Sequence, residues 1–313
     1  MSFPILGLHH VTATVDDAQA DLDFAIDALG MRLVKKTVNF DNRGVYHFYY
    51  GDERGTPGTL WTTFPYRTRG IPAGLKGAGQ VTVTSFSVPA GSLDRWKARL
   101  RGRGFTVTDA PPRFGEESVI VADPSGLTIE LVSTAGDARK PWLATDIDAS
   151  TAVRGIHSVT MTVSEPAPTL DFMREWFGFS VTDEMDGRQR VSVNGTGAGK
   201  SIDILAAPDA TRARNGLGTV HHVALAIAES REQLALRQAL VRRGIDVTPV
   251  IDRSYFQSIY FREPGGILFE VATMLPGFAV DEPLELLGRG LKLPPWEEAR
   301  RAEIEEALPP IVY

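Results

Sequence analysis

Leu8-His9-His10-Val11-Thr12-Ala13-Thr14-Val15 and Val220-His221-His222-Val223-Ala224-Leu225-Ala226-Ile227 are written in nearly the same words at opposite ends of the chain. The 313 residues include only six histidines, and four of them lie in these two pairs. After each pair the residues alternate, with Val11, Ala13 and Val15 apolar in one stretch and Val223, Leu225 and Ile227 in the other. A period of two marks a strand with one buried face. Two strands that open alike imply an internal repeat.

A second pair of segments supports the repeat. Asp123-Pro124-Ser125-Gly126-Leu127-Thr128-Ile129-Glu130-Leu131 parallels Glu263-Pro264-Gly265-Gly266-Ile267-Leu268-Phe269-Glu270-Val271, with acid, proline, glycine and terminal glutamate in register. Thr56-Pro57-Gly58-Thr59-Leu60 is a weaker copy. Working outward gives four modules, each a strand, a helix and three further strands. The first has a strand at 7–15 and a helix near 17–29, capped by Asp16 or Asp17, with Leu22, Ile26 and Leu29 as its apolar stripe and Gly30 as its stop. The second has a strand from Val81 to Val88 and a helix from Ser92, and its last strand is Leu127 to Val132. The third starts at Ile156-His157-Ser158-Val159, and its helix carries Leu170, Met173 and Phe177. The fourth starts at the second histidine pair, and its helix near 230–242 carries Leu234 and Val241. The fold class is therefore α+β, with modules paired into domains at 1–136 and 154–275. A linker spans 137–153 and an unrepeated extension spans 276–313, where a short charged helix follows Pro294-Pro295. The extension has three available uses: to cover a sheet edge, close a pocket or contact another subunit.

Composition excludes several function classes. A formal net charge of −6 argues against a nucleic-acid surface. No apolar run approaches the roughly 20 residues that cross a bilayer, so no membrane partner is expected. Cysteine is absent, which rules out disulfides, thiolate metal ligands and a cysteine nucleophile. The start Met-Ser-Phe-Pro-Ile-Leu-Gly lacks a secretion signal, and a cytoplasmic location is the expectation.

Strand phase selects candidate ligands, because neighbouring residues point to opposite faces. If Val11, Ala13 and Val15 pack on the helix, His10, Thr12 and Thr14 face the concave side. His222 has the same phase. In the third module that position is Ser158, and His157 aligns instead with His9 and His221. Glu270 and Glu130 hold one position in the last strands of the fourth and second modules, and Thr63 is assigned to it in the first. Pairing the first module with the fourth assembles His10, His222 and Glu270. Pairing the second with the third leaves Glu130 facing Ser158, an incomplete set, so Glu130 and His157 read as structural. His47, in an aromatic strand, reads as a satisfied core histidine. Two imidazoles and one carboxylate form a set that holds a redox-active iron with open coordination positions.

The repeated module, the His-His-Val starts and the Pro264-Gly265-Gly266-Ile267-Leu268-Phe269-Glu270 strand resemble the vicinal oxygen chelate superfamily of glyoxalases, bleomycin-resistance proteins and extradiol dioxygenases. Within it the chain is similar to ring-cleaving dioxygenases that open para-hydroquinones. That likeness includes Gly55-Thr56-Pro57-Gly58-Thr59, Thr62-Thr63-Phe64-Pro65, Arg113-Phe114-Gly115 and Arg154-Gly155-Ile156-His157-Ser158. The resemblance implies two domains with open mixed β-barrels and an Fe(II) cofactor, with Mn(II) as a substitute, held by His10, His222 and Glu270. It implies that His9, His221, Arg253 and Tyr260 stand close to the metal without binding it, in catalytic roles. The expected partners are a small aromatic substrate and O2, and self-association stays open. Gln257 and Ser254 depart from the close family's pattern, in which an acid and a glycine are usual.

The iron lowers the pKa of a bound phenol, Arg253 offers charge stabilisation, and Tyr260, His9 or His221 offers a proton route. The plainer readings are a salt bridge for Arg253 and a buried hydroxyl for Tyr260. Three rivals use the same fold: a metal-dependent glyoxalase-like lyase or isomerase, a catechol extradiol dioxygenase and a non-catalytic binder. The lyases usually need a fourth protein ligand, and Thr63 is read as occupying that place.

Overall fold

The computed structural model describes residues 2–313. The first module comprises β1 (Ile5–Val15), a helix, β2 (Arg32–Asn39), β3 (Asn42–Gly51) and β4 (Leu60–Pro65). The second comprises β5 (Gln80–Pro89), a helix, β6 (Val107–Asp109), β7 (Ser118–Ala122) and β8 (Thr128–Thr134). The third comprises β9 (Gly155–Val163), a helix, β10 (Ser180–Met185), β11 (Arg188–Ser192) and β12 (Ser201–Ala206). The fourth comprises β13 (Thr219–Ile227), a helix, β14 (Ile251–Asp252), β15 (Gln257–Arg262) and β16 (Leu268–Thr273). The α+β class stands. Two eight-stranded mixed sheets run β14-β15-β16-β13-β1-β4-β3-β2 and β10-β11-β12-β9-β5-β8-β7-β6. The first module thus shares a sheet with the fourth, and the second with the third. β1 and β13 lie antiparallel at the centre of one sheet, each with its own module's last strand parallel beside it.

The helix-facing layer carries the alternating apolar residues, and Val11, Ala13, Val15, Val223, Leu225 and Ile227 are all buried. In the first module Asp17 caps α1 (Ala18–Leu22) by accepting a hydrogen bond from the Ala20 amide at 2.8 Å. The chain then widens into a π-helical turn over Asp23–Ala28, with Leu29 N–H donating to Phe24 C=O at 2.9 Å. The wider turn rotates Phe24, Ala25 and Ala28 inward and leaves Ile26 half-buried, unlike the stripe expected from a uniform 3.6 period. The next two helices are α2 (Leu93–Gly102), which buries Trp96 and Leu100, and α3 (Pro166–Phe177), which buries Met173 and Phe177.

The fourth helix, α4 (Ser230–Arg242), corrects a sequence expectation. Leu234 and Val241 are 45% and 46% exposed, and the core face is Gln233, Leu236 and Leu240. A buried glutamine disguises that face in the sequence. Its side-chain N–H groups donate to the carbonyls of Gln257 and Val271, both at 2.8 Å, so the amide nitrogen is satisfied inside the core while Oε1 is buried without a protein partner.

The extension covers a sheet edge. Lys292 N–H donates to Lys36 C=O at 2.9 Å, so the segment runs alongside edge strand β2. Lys35, fully buried, is paired with Asp281 and Glu282, and Phe278 stacks on Tyr255 with ring centroids 4.8 Å apart. Its helix, α5 (Arg301–Ala307), begins later than expected after Pro295, following a single 3-10 turn. No helix among the described residues is long and apolar enough to cross a membrane.

Candidate metal centre and its cavity

Three side chains, His10 from the first module and His222 and Glu270 from the fourth, more than 200 positions away, meet at one point on the concave face of the β1–β13 sheet. His10 Nε2 lies 3.2 Å from His222 Nε2 and 3.1 Å from Glu270 Oε2, and His222 Nε2 lies 2.8 Å from the same oxygen. All three residues are at least 95% buried. Burial pushes the Glu270 carboxyl up, but His10 and His222 outweigh it and hold its pKa well below the usual carboxylate value. Ser258 donates its hydroxyl hydrogen to Glu270 Oε1, which leaves Oε2 for the centre. The spacing fits a metal: neighbouring ligands of an octahedral ion with bonds of ~2.1 Å stand about 3 Å apart. The donor set fits as well, being two nitrogens and one anionic oxygen on one face.

Strict alternation would send His9 and His221 into the helix layer, but both pairs sit on β-bulges. Between β1 and β13, Leu8 and His10 oppose consecutive residues Leu225 and Ala224, which leaves His9 as the extra residue. On the partner strand Thr12 opposes His222 and Ala13 opposes Val220, which leaves His221. Each extra residue bends its strand and brings its imidazole back to the ligand beside it. The Nδ1–Nδ1 distances are 2.8 Å for His9–His10 and 2.7 Å for His221–His222.

These contacts set the tautomers. The Thr273 carbonyl can only accept, so His9 Nε2, 3.2 Å away, carries a proton. Burial, and then His10, lower His9 to a pKa of about 3, so it is neutral and its Nδ1 is bare. That Nδ1 accepts from His10 Nδ1–H, which leaves His10 Nε2 as the ring nitrogen turned to the centre. Burial followed by His222 likewise lowers His221 to about 3, but no protein group engages its Nε2 among the described residues.

The register corrects one assignment. Glu270 pairs with Ala224 of β13, and the corresponding step in the first module pairs Thr62 with Thr12 of β1. Thr62, not Thr63, holds the glutamate position. Thr63 turns to the helix layer and donates to Asp21 at 2.5 Å. The cause is a shorter turn: Pro57 is followed by one glycine and Pro264 by two, so counting from the proline overshoots by one.

The second sheet has the same plan with different contents. His157 is again the bulged residue, and it meets Ser158 Oγ at 3.0 Å where the other modules have a second histidine. His157 also lies 3.1 Å from Glu116. Asp203, which sequence reasoning missed, pairs with Thr160 as Thr62 pairs with Thr12. Arg113 bridges Glu130 (2.5 Å) and Asp203 (3.1 Å), and Arg190 donates to Asp203 at 2.7 Å. Guanidinium groups fill this cradle, so Glu130 belongs to an ion-pair network, which His157 borders through Glu116.

A cavity of about 410 Å³ opens over these three side chains. Tyr49, Phe64, Phe256, Ile251 and Leu268 form apolar walls, and His221, Arg253 and Tyr260 line it too. His9 stands behind His10, buried against Phe256 with ring centroids 4.9 Å apart. Arg253 Nε donates to the Tyr260 hydroxyl at 3.1 Å, and its guanidinium also lies 3.5 Å from Asp41, which is 79% exposed. Such an exposed pair contributes little, so the cavity-facing contact defines Arg253 better than its salt bridge. Burial, with Glu270 adding, raises the Tyr260 hydroxyl above the ordinary phenol range. His47 lines the same cavity and donates to or accepts from Thr62 Oγ1 at 3.1 Å through Nε2, so it is a cavity residue bonded through one ring nitrogen and not the satisfied core histidine expected from the sequence. A larger open groove, about 1060 Å³, lies at the π-helical turn, Arg103 and Trp142, and no histidine lines it.

The family model for the Glyoxalase/Bleomycin resistance protein/Dioxygenase superfamily matches residues 7–131 and 155–271. The chain is 40% identical over 303 residues to "Putative ring-cleaving dioxygenase MhqE" of Bacillus subtilis, spanning 97% of this chain and 98% of that one. It is 37% identical over 306 residues to chlorohydroquinone/hydroquinone 1,2-dioxygenase of Sphingobium indicum, spanning 95% and 94%. A crystal structure of a Bacillus subtilis protein titled "putative dioxygenase" superposes with a TM-score of 0.94 at 39% identity, covering 99% of both chains. Glyoxalase I from Zea mays shares the fold, with a TM-score of 0.63 at 14% identity over 91% of this chain and 97% of that one.

Proposed function

The chain belongs to the glyoxalase/bleomycin resistance protein/dioxygenase superfamily, and from that premise we propose that it is an Fe(II)-dependent, extradiol-type dioxygenase that opens hydroquinone rings. The observation that carries this reading is the convergence of His10, His222 and Glu270 beneath a cavity with apolar walls that is large enough to admit an aromatic ring. The names of full-length relatives at 37–40% identity support it. His10, His222 and Glu270 would hold the metal, and Mn(II) suits the same donors. Bound there, Fe(II) supplies the redox partner that lets a spin-paired ring react with O2 and leaves positions open for both.

The protein's own groups then have separable tasks. Tyr49, Phe64, Phe256 and Leu268 hold the ring and exclude water. Arg253 stays cationic and stabilises negative charge that develops on the ring oxygens. Tyr260, kept protonated by burial and bonded to Arg253, holds a proton at its hydroxyl for return to the opened product. His221 exposes an Nε2 with no protein partner, which suits it to exchange a proton at the cavity wall. His9 positions His10. Thr62 in the fourth-ligand position offers no carboxylate, which disfavours the lyase and isomerase rivals.

Anaerobic loading with Fe(II) followed by O2 uptake tests this. We expect one O2 consumed per hydroquinone or methylhydroquinone. Silence on both and on catechol, together with isomerase activity on a hemithioacetal with Zn(II) or Ni(II), would overturn the proposal.

A further inference from the structure

The sheet that carries the three ligands has an internal pseudo-twofold, and its empty half points to how the substrate is read. Tyr260 pairs with Glu270 across β15–β16, and Tyr49 pairs with Thr62 across β3–β4. Two residues before each tyrosine stand Ser258 and His47. Ser258 bonds Glu270, and His47 Nε2 lies 3.1 Å from Thr62 Oγ1, which in turn lies 2.7 Å from Thr12 Oγ1. His47 is therefore the counterpart of a ligand-orienting serine, attached to a position that ligates nothing.

The imidazole is also firmly placed. Its ring centroid lies 4.0 Å from Tyr49 and 4.3 Å from Phe64. Asn39 is paired with Tyr66 at 2.9 Å and Arg253 with Tyr260, while the Tyr49 hydroxyl and His221 Nε2 have no protein partner among the described residues. His47 Nδ1 has no protein partner among the described residues, although the residue lines the cavity. β3 is two strands from β1, about 10 Å at ordinary strand spacing. A ring oxygen at the ligand end, a six-membered ring and the oxygen opposite it extend toward that distance. The two adjacent oxygens of a catechol do not.

Resting on the hydroquinone reading for the substrate, we propose that His47 is a specificity-determining residue whose free ring nitrogen hydrogen-bonds the hydroxyl para to the one held at His10, His222 and Glu270. Thr62 acts through it as a positioning residue, orienting the imidazole. A group locked by packing and a second hydrogen bond is what discrimination between ring isomers requires.

The test is anaerobic binding of hydroquinone, phenol and catechol to the Fe(II)-loaded chain by calorimetry. Wild type should bind hydroquinone about tenfold more tightly than phenol, the worth of one good hydrogen bond. His47→Phe should bring the two within about twofold while phenol and catechol affinities and the iron content stay unchanged. Thr62→Val, which frees the imidazole without altering the cavity lining, should narrow the gap in the same direction, and His47→Gln should restore part of it. The proposal is overturned if wild type shows no preference for hydroquinone, or if the gap persists in both His47→Phe and Thr62→Val. It is equally overturned if all three affinities fall together, or if Tyr49→Phe alone removes the gap. Absent O2 uptake with an intact binding pattern would refute the dioxygenase reading and leave the His47 assignment standing.

Discussion

A single carbonyl, that of Thr273, orders the proton positions along His9 and His10 and so decides which nitrogen faces the centre. The side chains proposed as ligands were legible in the sequence because alternation alone turns His10 and His222 away from the apolar residues. His9 was not legible that way. Alternation predicts its direction only while the strand is regular, and nothing local in Leu8-His9-His10 announces an extra residue; its place near the metal came from resemblance. His47 was misjudged for a related reason, since an aromatic strand reads as core until the cavity beside it is known. The orienting role predicts that His9→Phe, which removes the acceptor for His10 Nδ1–H, weakens Fe(II) binding roughly 10–100-fold with little change in fold. Competition with a chelator of known affinity measures this. Wild-type affinity in the variant would remove His9 from the account.

At the scale of elements, strand starts and turns were readable while two helix faces were not. A π-helical turn in the first helix and the buried Gln233 in α4 each break the period that reveals a face. The observed phase of α4 predicts that Leu236→Ala costs about 2–5 kcal/mol and Leu234→Ala less than about 0.5 kcal/mol. Equal losses in urea unfolding would contradict that phase. The contact of α1 with the sheet carries a pH dependence. Burial raises Asp21 to a pKa of about 7 against the opposing hydrogen bonds of Thr63 and Tyr50, and Asp123 adds to the rise. Because the folded pKa is raised, the stabilisation is full below about pH 4, where the unfolded aspartate is protonated, and falls as pH rises through 7. Going from pH 6 to pH 9 should cost about 1.4 kcal/mol of stability in wild type, levelling off above pH 8. Asp21→Asn should flatten that slope in denaturant unfolding. An unchanged slope would mean another group titrates.

For the molecule as a whole, the pairing of the first module with the fourth and the second with the third followed from asking which copies complete a ligand set. The sheets have that order. The path of the extension was unreadable because it repeats nothing, and its partners on β2 are a buried lysine and backbone groups. The second cradle was only half-readable, since Asp203 and the guanidiniums of Arg113 and Arg190 come from segments without a motif. One sheet thus offers a place for a cation, and the other carries its own positive charge. The most direct test is the iron content after anaerobic Fe(II) titration and gel filtration, in wild type, Glu270→Ala and Glu130→Gln. One iron per chain in wild type and in Glu130→Gln, and none in a folded Glu270→Ala, is the predicted result. Stoichiometric iron retained by Glu270→Ala, or iron lost with Glu130→Gln, would contradict the account.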